Sequence, residues 1–322
     1  MNFSVDERTV QLPAAEFRFG GVRLGMLDES AALETKTRFH ETEDGLCVSG
    51  KAVKTLPFGC EYEIVRTWER TSGILRIAVD VRALHGGVIR DCLLDSLTVT
   101  GSNIQTAVLR DDGTLDNTLT TGGEMPRAVE FRLPDGSRAE LLAGDDLWRH
   151  RLARKLGAES CWCLTAEKNN VLFERTMVHF PEETEPVQRP WRWEYLFVWG
   201  RPDSGFQVSG DTERVDASNL CFASPAVQRK FRELVRQSRK SLRLTGAALR
   251  LCTDAGHTGR GESLPHQDTG ALLSFYLWAN KILRKRNQSF TVELDEKTAE
   301  TRPALQAVLG APPAEGNENG LE

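Results

Sequence analysis

The sequence predicts a mainly β protein: a large antiparallel β-sandwich with a basic C-terminal helical segment. Three observations predict it. Residues 1–215 consist of short runs rich in Val, Ile, Leu, Phe and Thr, separated by turn signals. Beyond Asp216 the apolar period changes from two to about 3.6 and the charge turns basic. The chain has 322 residues, 40% of them hydrophobic, which is enough to bury a core without disulfide or metal staples.

The first strand-like runs cover 16–24, 33–40, 46–53, 62–68, 74–81, 93–99 and 104–109. Between them stand Phe58-Gly59, Gly86-Gly87, Asp111-Asp112-Gly113 and Gly122-Gly123, pairs that break or turn a chain. The pattern continues through 128–133, 138–142, 161–165 and 171–180. The turns Pro134-Asp135-Gly136 and Lys168-Asn169-Asn170 tolerate positive φ and let neighbouring strands fold back. At least ten strands at this spacing exceed what one twisted sheet carries without splitting into two packed layers. Residues 149–155 read equally well as a short helix or a basic strand.

In the second part, Ser224-Pro225 offers an N-cap with proline at the first helical position. Val227, Phe231, Leu234, Val235 and Leu242 recur at helical spacing, and this amphipathic face is expected to cover the sandwich. A second helix over 269–286 carries Leu272, Leu273, Tyr276, Leu277, Ala279 and Ile282 on one broad stripe. Residues 290–294 read as a last strand, and 311–322 as a flexible tail of Pro, Gly, Asn and Glu. The expected domains are 1–215, the sandwich; 216–294, helices packed on it with a final strand; and 295–322, an acidic, largely flexible tail.

The net charge of −5 predicts no obligatory polyanion partner for the chain as a whole. Its distribution is uneven: residues 225–290 carry a net +9, and residues 1–224 a net −9. The basic segment either docks with its spare charges solvated, or engages nucleic acid or an acidic protein partner. No basic leader followed by an apolar run is visible, and no stretch approaches 18 consecutive apolar residues, so no membrane span is expected. Seven cysteines without framework spacing suit a reducing compartment, and the cytoplasm is the expected location.

Candidate chemistry centres on Trp191, Trp193, Tyr195, Phe197 and Trp199, five aromatics at every second position. Period two puts them on one strand face, with Arg192 and Glu194 on the other. The rings either fill the core between sheets, or the first two floor a groove where they stack on sugar faces. Trp191, Arg192 and Trp193 are accordingly the candidate substrate binders, and Glu194 with His179 the candidate catalytic pair. A carboxylate beside an imidazole can share acid and base roles on a sugar oxygen. His179 reaches this region if its strand pairs with the Trp-rich one as a hairpin.

No metal or cofactor is expected. The loop between the helices collects Asp254, His257, Glu262, His266 and Asp268, but at no ligand spacing, and Cys161 and Cys163 have no converging partners. Nucleophile-elbow, phosphate-loop and dinucleotide motifs are absent from the sequence.

The strands containing Glu63-Ile-Val-Arg-Thr-Trp, Leu75-Arg-Ile-Ala-Val-Asp and Trp191-Arg-Trp-Glu-Tyr resemble the galactose mutarotase-like supersandwich of carbohydrate-active proteins, over about residues 1–215. The resemblance implies a saccharide-facing groove. Epimerases of that family use paired histidines with a glutamate and an aspartate. His85, His150 and His179 do not align with that set, so the resemblance implies an architecture and no reaction. The expected function is binding or modification of carbohydrate in a cleft on the sandwich, with catalysis left open. The alternative is an interaction module whose basic helices bind nucleic acid or an acidic protein.

Overall fold

The computed structural model describes residues 2–4, 9–20, 23–26, 29–32, 40–42, 45–55, 61–71, 73–83, 89–110, 114–122, 126, 128–143, 159–184, 191–200, 211–218, 220–222, 224–249, 251–252 and 266–310. The segment 149–155, most of the 33–40 run, most of the inter-helix loop, His85, His150 and the tail 311–322 lie outside them. The chain divides into two units. The first is residues 1–70 with 75–197, and the second is 71–74 with 198–322.

The first unit is built on two large antiparallel sheets. One contains β1 (Asn2–Ser4), β2 (Thr9–Gln11), β3 (Glu16–Phe19), β4 (Arg23–Met26) and β5 (Glu29–Ala32). The other receives β6 (His40–Thr42), β7 (Gly45–Thr55), β8 (Glu61–Thr71) and β9 (Ile74–Ala83). After these come β10 (Ile89–Thr100), β11 (Gln105–Leu109), β12 (Leu115–Asp116), β13 (Thr121–Gly122), β14 (Ala128–Arg132), β15 (Arg138–Ala143), β16 (Glu159–Glu167), β17 (Asn170–Thr184) and β18 (Trp191–Gly200). The first sheet runs β1-β2-β3-β10-β17-β16-β13, with β4 and β5 attached beside β10. The second runs β12-β11-β14-β15-β18-β9-β8-β7-β6.

Alternation decides which side chains meet between the sheets. Phe17 on β3 stands edge-on to Phe131 of β14 at 5.5 Å and tilts against Phe197 of β18 at 4.9 Å. Phe19 meets Phe197 and Trp68 of β8 at 5.9 and 5.7 Å. Phe131, Leu141, Tyr195 and Phe197 therefore face inward from the second sheet. The aromatic alternation of β18 is, at Tyr195 and Phe197, core. A small cavity lies between the layers, lined by Phe19, Ser96, Leu97, Leu141, Phe173 and Tyr195.

The second unit has a parallel sheet of its own. Its strands β19 (Thr212–Asp216), β20 (Ser241–Ala247) and β23 (Phe290–Leu294) lie in the order β19-β20-β23, and β21 (Leu251–Cys252) pairs with β22 (His266–Gln267). The helices are α1 (Pro225–Gln237), α2 (Asp268–Arg284), α3 (Glu296–Thr301) and α4 (Pro303–Gly310). Residues 216–294, read from sequence as helices with one final strand, thus also contain β20. Leu242, assigned by its spacing to the first helix, belongs to that strand. The helix stops earlier because the Ser238 N–H closes its last turn on the Leu234 carbonyl, and the Ser238 hydroxyl then donates to the Lys240 carbonyl.

Phe231 and Val235 of α1 are buried, as expected, but the rings beside Phe231 come from this same unit: Phe222 at 5.8 Å and Phe275 of α2 at 6.1 Å. Asn280 of α2 ties the helix to β23, its amide donating to the Phe290 carbonyl and its carbonyl accepting the Phe290 N–H, both at 3.0 Å. Helix α4 packs on Gly73 and Gly200. Gly73 has φ +76, and a Cβ there would sit 3.0 Å from Val308. No helix among the described residues is long and apolar enough to cross a membrane.

Candidate functional site

Because Phe131, Leu141 and Phe197 point inward, Glu130, Glu140 and Glu194 leave the opposite, outer face of the second sheet. They stand on three adjacent strands, β14, β15 and β18, and all are buried. Glu130 and Glu140 are direct cross-strand partners. Opposed positions of an antiparallel pair hold their Cβ atoms roughly 5 Å apart, so like charges there repel unless cations intervene. Arg132 and Arg138, the next opposed pair along the same face, supply them. Both guanidiniums reach the Glu130 carboxylate, Arg138 at 3.4 Å to each oxygen.

Glu194 has a partner that its neighbours in sequence do not suggest. Arg76 on the adjacent strand β9 donates from Nε to Oε1 at 2.7 Å and from Nη2 to Oε2 at 2.8 Å. This is the two-pronged geometry that makes guanidinium–carboxylate pairs strong and directional. The carboxylate side chain is 9% exposed and the arginine 33%. On this face Arg132 and Arg138 thus both serve Glu130, and Arg76 serves Glu194. No group of three or more His, Cys, Asp or Glu among the described residues is arranged to hold a metal ion.

The expected site residues fall in two places. Trp191, Arg192 and Trp193 begin β18 and Glu194 follows them, so these four share one strand end. The side chains of the first three lie outside the described set. Glu194, expected on the same strand face as Arg192, is buried and bound to Arg76. His179 lies on β17, whose neighbours are β10 and β16 in the first sheet, whereas β18 lies between β15 and β9 in the second. The hairpin that would bring His179 beside Glu194 is not formed. Opposite His179 the register places Asp91 of β10 and Glu159 of β16, with pairing irregularities at both points. Such bulges bend a strand and raise its twist.

Sequence reasoning missed Arg76, Glu130 and Glu140. The available signal was a glutamate in the middle of an apolar strand, in Ala128-Val-Glu-Phe and Arg138-Ala-Glu-Leu-Leu, where a charge is tolerated only with a partner.

No known protein family's sequence pattern matches the chain, and no curated protein matches it. Among solved structures the chain is similar to galactose mutarotase-like proteins. A galactose mutarotase related enzyme from Lactobacillus acidophilus matches at TM-score 0.32 and 7% identity, over 57% of this chain and 82% of that one. A galactose mutarotase-like protein from Clostridium acetobutylicum matches at TM-score 0.31 and 8% identity, over 58% and 79%. The alpha-N-acetylgalactosaminidase NagBb from Bifidobacterium bifidum, in complex with Gal-NHAc-DNJ, matches at TM-score 0.37 and 11% identity, over 88% and 58%. At these scores the likeness carries over no residue and no reaction.

Proposed function

We propose that this protein binds carbohydrate at the outer face of the second sheet, where β18 and β9 run side by side. The observation that carries the reading is the Arg76–Glu194 pair, a rigid planar donor and acceptor held at the partly open margin of a buried charge network. Sugars are bound by such fixed polar groups together with flat apolar surface, because each hydroxyl both donates and accepts, and one ring face is C–H rich. The reading requires flat surface from Trp191 and Trp193, which alternation places on the strand face of Tyr195 and Phe197, to reach this margin at the start of β18. Arg192 contributes a further donor.

Glu194 is assigned to binding. Both its oxygens already accept from Arg76, and the imidazole that would share a proton with it belongs to a strand of the other sheet. A catalytic role for Glu194 and His179 requires turnover to be lost in Glu194→Gln while binding persists.

The test is a glycan array with the full chain, followed by titration calorimetry of each hit against Trp193→Ala and Glu194→Gln. Binding weakened at least tenfold by both substitutions, with thermal unfolding within a few degrees of wild type, supports the site. An array without hits, or hits indifferent to both substitutions, removes it.

A further inference from the structure

We propose that the second unit carries a binding surface for single-stranded nucleic acid, formed by α1 and the C-terminal half of α2. Helix α1 buries Phe231 and Val235 on one side. On the other side Arg229, Arg232 and Arg236 follow at spacings of three and four, one exposed stripe about 10 Å long at the ~1.5 Å rise of a helix. The helix contains a single carboxylate, Glu233, against four basic residues. Trp278 of α2 lies under two of the arginines: the Arg232 and Arg236 guanidinium carbons are 5.4 and 5.8 Å from its ring centroid. The indole thereby fixes two guanidiniums, at the surface, that would otherwise lose rotamer freedom on binding an anion.

The basic end of α2 joins this stripe. Arg286 donates from Nη1 to the carbonyls of Arg236 and Ser238 at 2.9 and 3.0 Å, which seats the turn after α2 against the end of α1. That contact uses Arg286 as a helix cap and brings exposed Arg284 and Lys285 to the same end as Arg239. Lys240, by contrast, is neutralised by Asp211 at 2.7 Å and belongs to a local ion pair. Most of the remaining cations are guanidiniums, which match phosphate oxygens two at a time.

Phosphodiester is favoured over an acidic peptide because a guanidinium held flat on an indole presents its own plane for a base to stack on. The double helix offers no free base face at this position, so the strand is single.

The test is fluorescence anisotropy of the full chain with a labelled oligothymidylate of about 15 nucleotides, from about 25 to 200 mM salt. Contact with about four phosphates gives a log–log slope near −3, a weakening of about 300-fold across that range. Arg232→Gln with Arg236→Gln halves the slope, Arg284→Gln with Lys285→Gln lowers it similarly, and Lys240→Gln leaves it unchanged. These positions are exposed, so circular dichroism and thermal unfolding stay at wild type. No binding at about 25 mM salt overturns the proposal. So does binding that survives both double substitutions, or equal affinity for an abasic oligomer, an acidic peptide or a uronate polymer of the same charge.

Discussion

The Arg76–Glu194 pair makes a quantitative demand on the first unit. Charge centres about 4 Å apart attract by about 4 kcal/mol at an effective dielectric of about 20, and burying the two ions offsets much of that. Removing one partner keeps the burial cost and loses the attraction. With the carboxylate 9% exposed and the arginine 33%, water compensates Arg76 better than Glu194. Arg76→Met is therefore expected to cost about 3 kcal/mol and Glu194→Leu about 1–2 kcal/mol, whereas Arg76→Met with Glu194→Leu lies within about 1 kcal/mol of wild type. Urea unfolding of the four proteins, fitted with a common slope and followed by the near-ultraviolet signal of the core aromatics, measures the coupling. A coupling energy below about 0.5 kcal/mol refutes the reasoning, because the pair would then be as inconsequential as an exposed one. The double variant also separates stability from recognition: it should fold like wild type and bind no sugar.

Phe197→Ala, which removes a fully buried ring packed against Phe17 and Phe19, should destabilise by about 3–5 kcal/mol in the same assay. Gly200→Ala places a Cβ 2.9 Å from the Ala304 carbonyl oxygen and 3.0 Å from the Ala307 methyl, and should cost about 1–3 kcal/mol with α4 losing protection from hydrogen exchange first. Asn280→Ala strands the Phe290 N–H and carbonyl in the buried interior and should cost about 2–4 kcal/mol. Asp116, whose carboxyl is held down at about 2 chiefly by the hydroxyl and N–H of Thr118 and also by Arg110, gives a pH signature. Its folded-state value lies below the unfolded 3.8, so its contribution is complete above pH 4 and disappears as the pH falls towards 2. Wild type and Asp116→Asn should differ at neutral pH and converge in acid; a difference that stays constant to pH 2 would refute it.

The strands were legible because period two and turn chemistry are local. The runs at 104–109, 138–142 and 290–294 fall on β11, β15 and β23, the last with identical ends. Sheet membership was not legible, because it is set by contacts far apart in sequence. Arg76 and Glu194 are 118 residues apart, and nothing near either names the other. The hairpin on which bringing His179 to Glu194 depended is absent for the same reason: adjacency in sequence favours pairing, but β17 found β10 and β16. The boundary of α1 was misread because Ser238 and Lys240 close it with hydrogen bonds in place of a glycine or proline. The candidate site was half legible: Glu194 was named, but in the company of Arg192 and His179, since its flanking arginine drew attention away from the distant one.

Gly73 also sets a clock. Its carbonyl accepts the Trp199 N–H, and a Cβ on it would sit 3.0 Å from Val308, yet it is synthesised long before that residue. At ribosomal speeds of roughly 5–20 residues per second, the hairpin tip at 71–74 waits roughly 10–50 s for Val308 to appear, far longer than a hairpin or a helix takes to form. For that interval Gly73 has nothing from α4 above it. The nascent chain therefore leaves this turn uncovered until residues 303–310 are made. Variants that delay or weaken α4 should betray themselves first as loss of yield rather than as loss of binding.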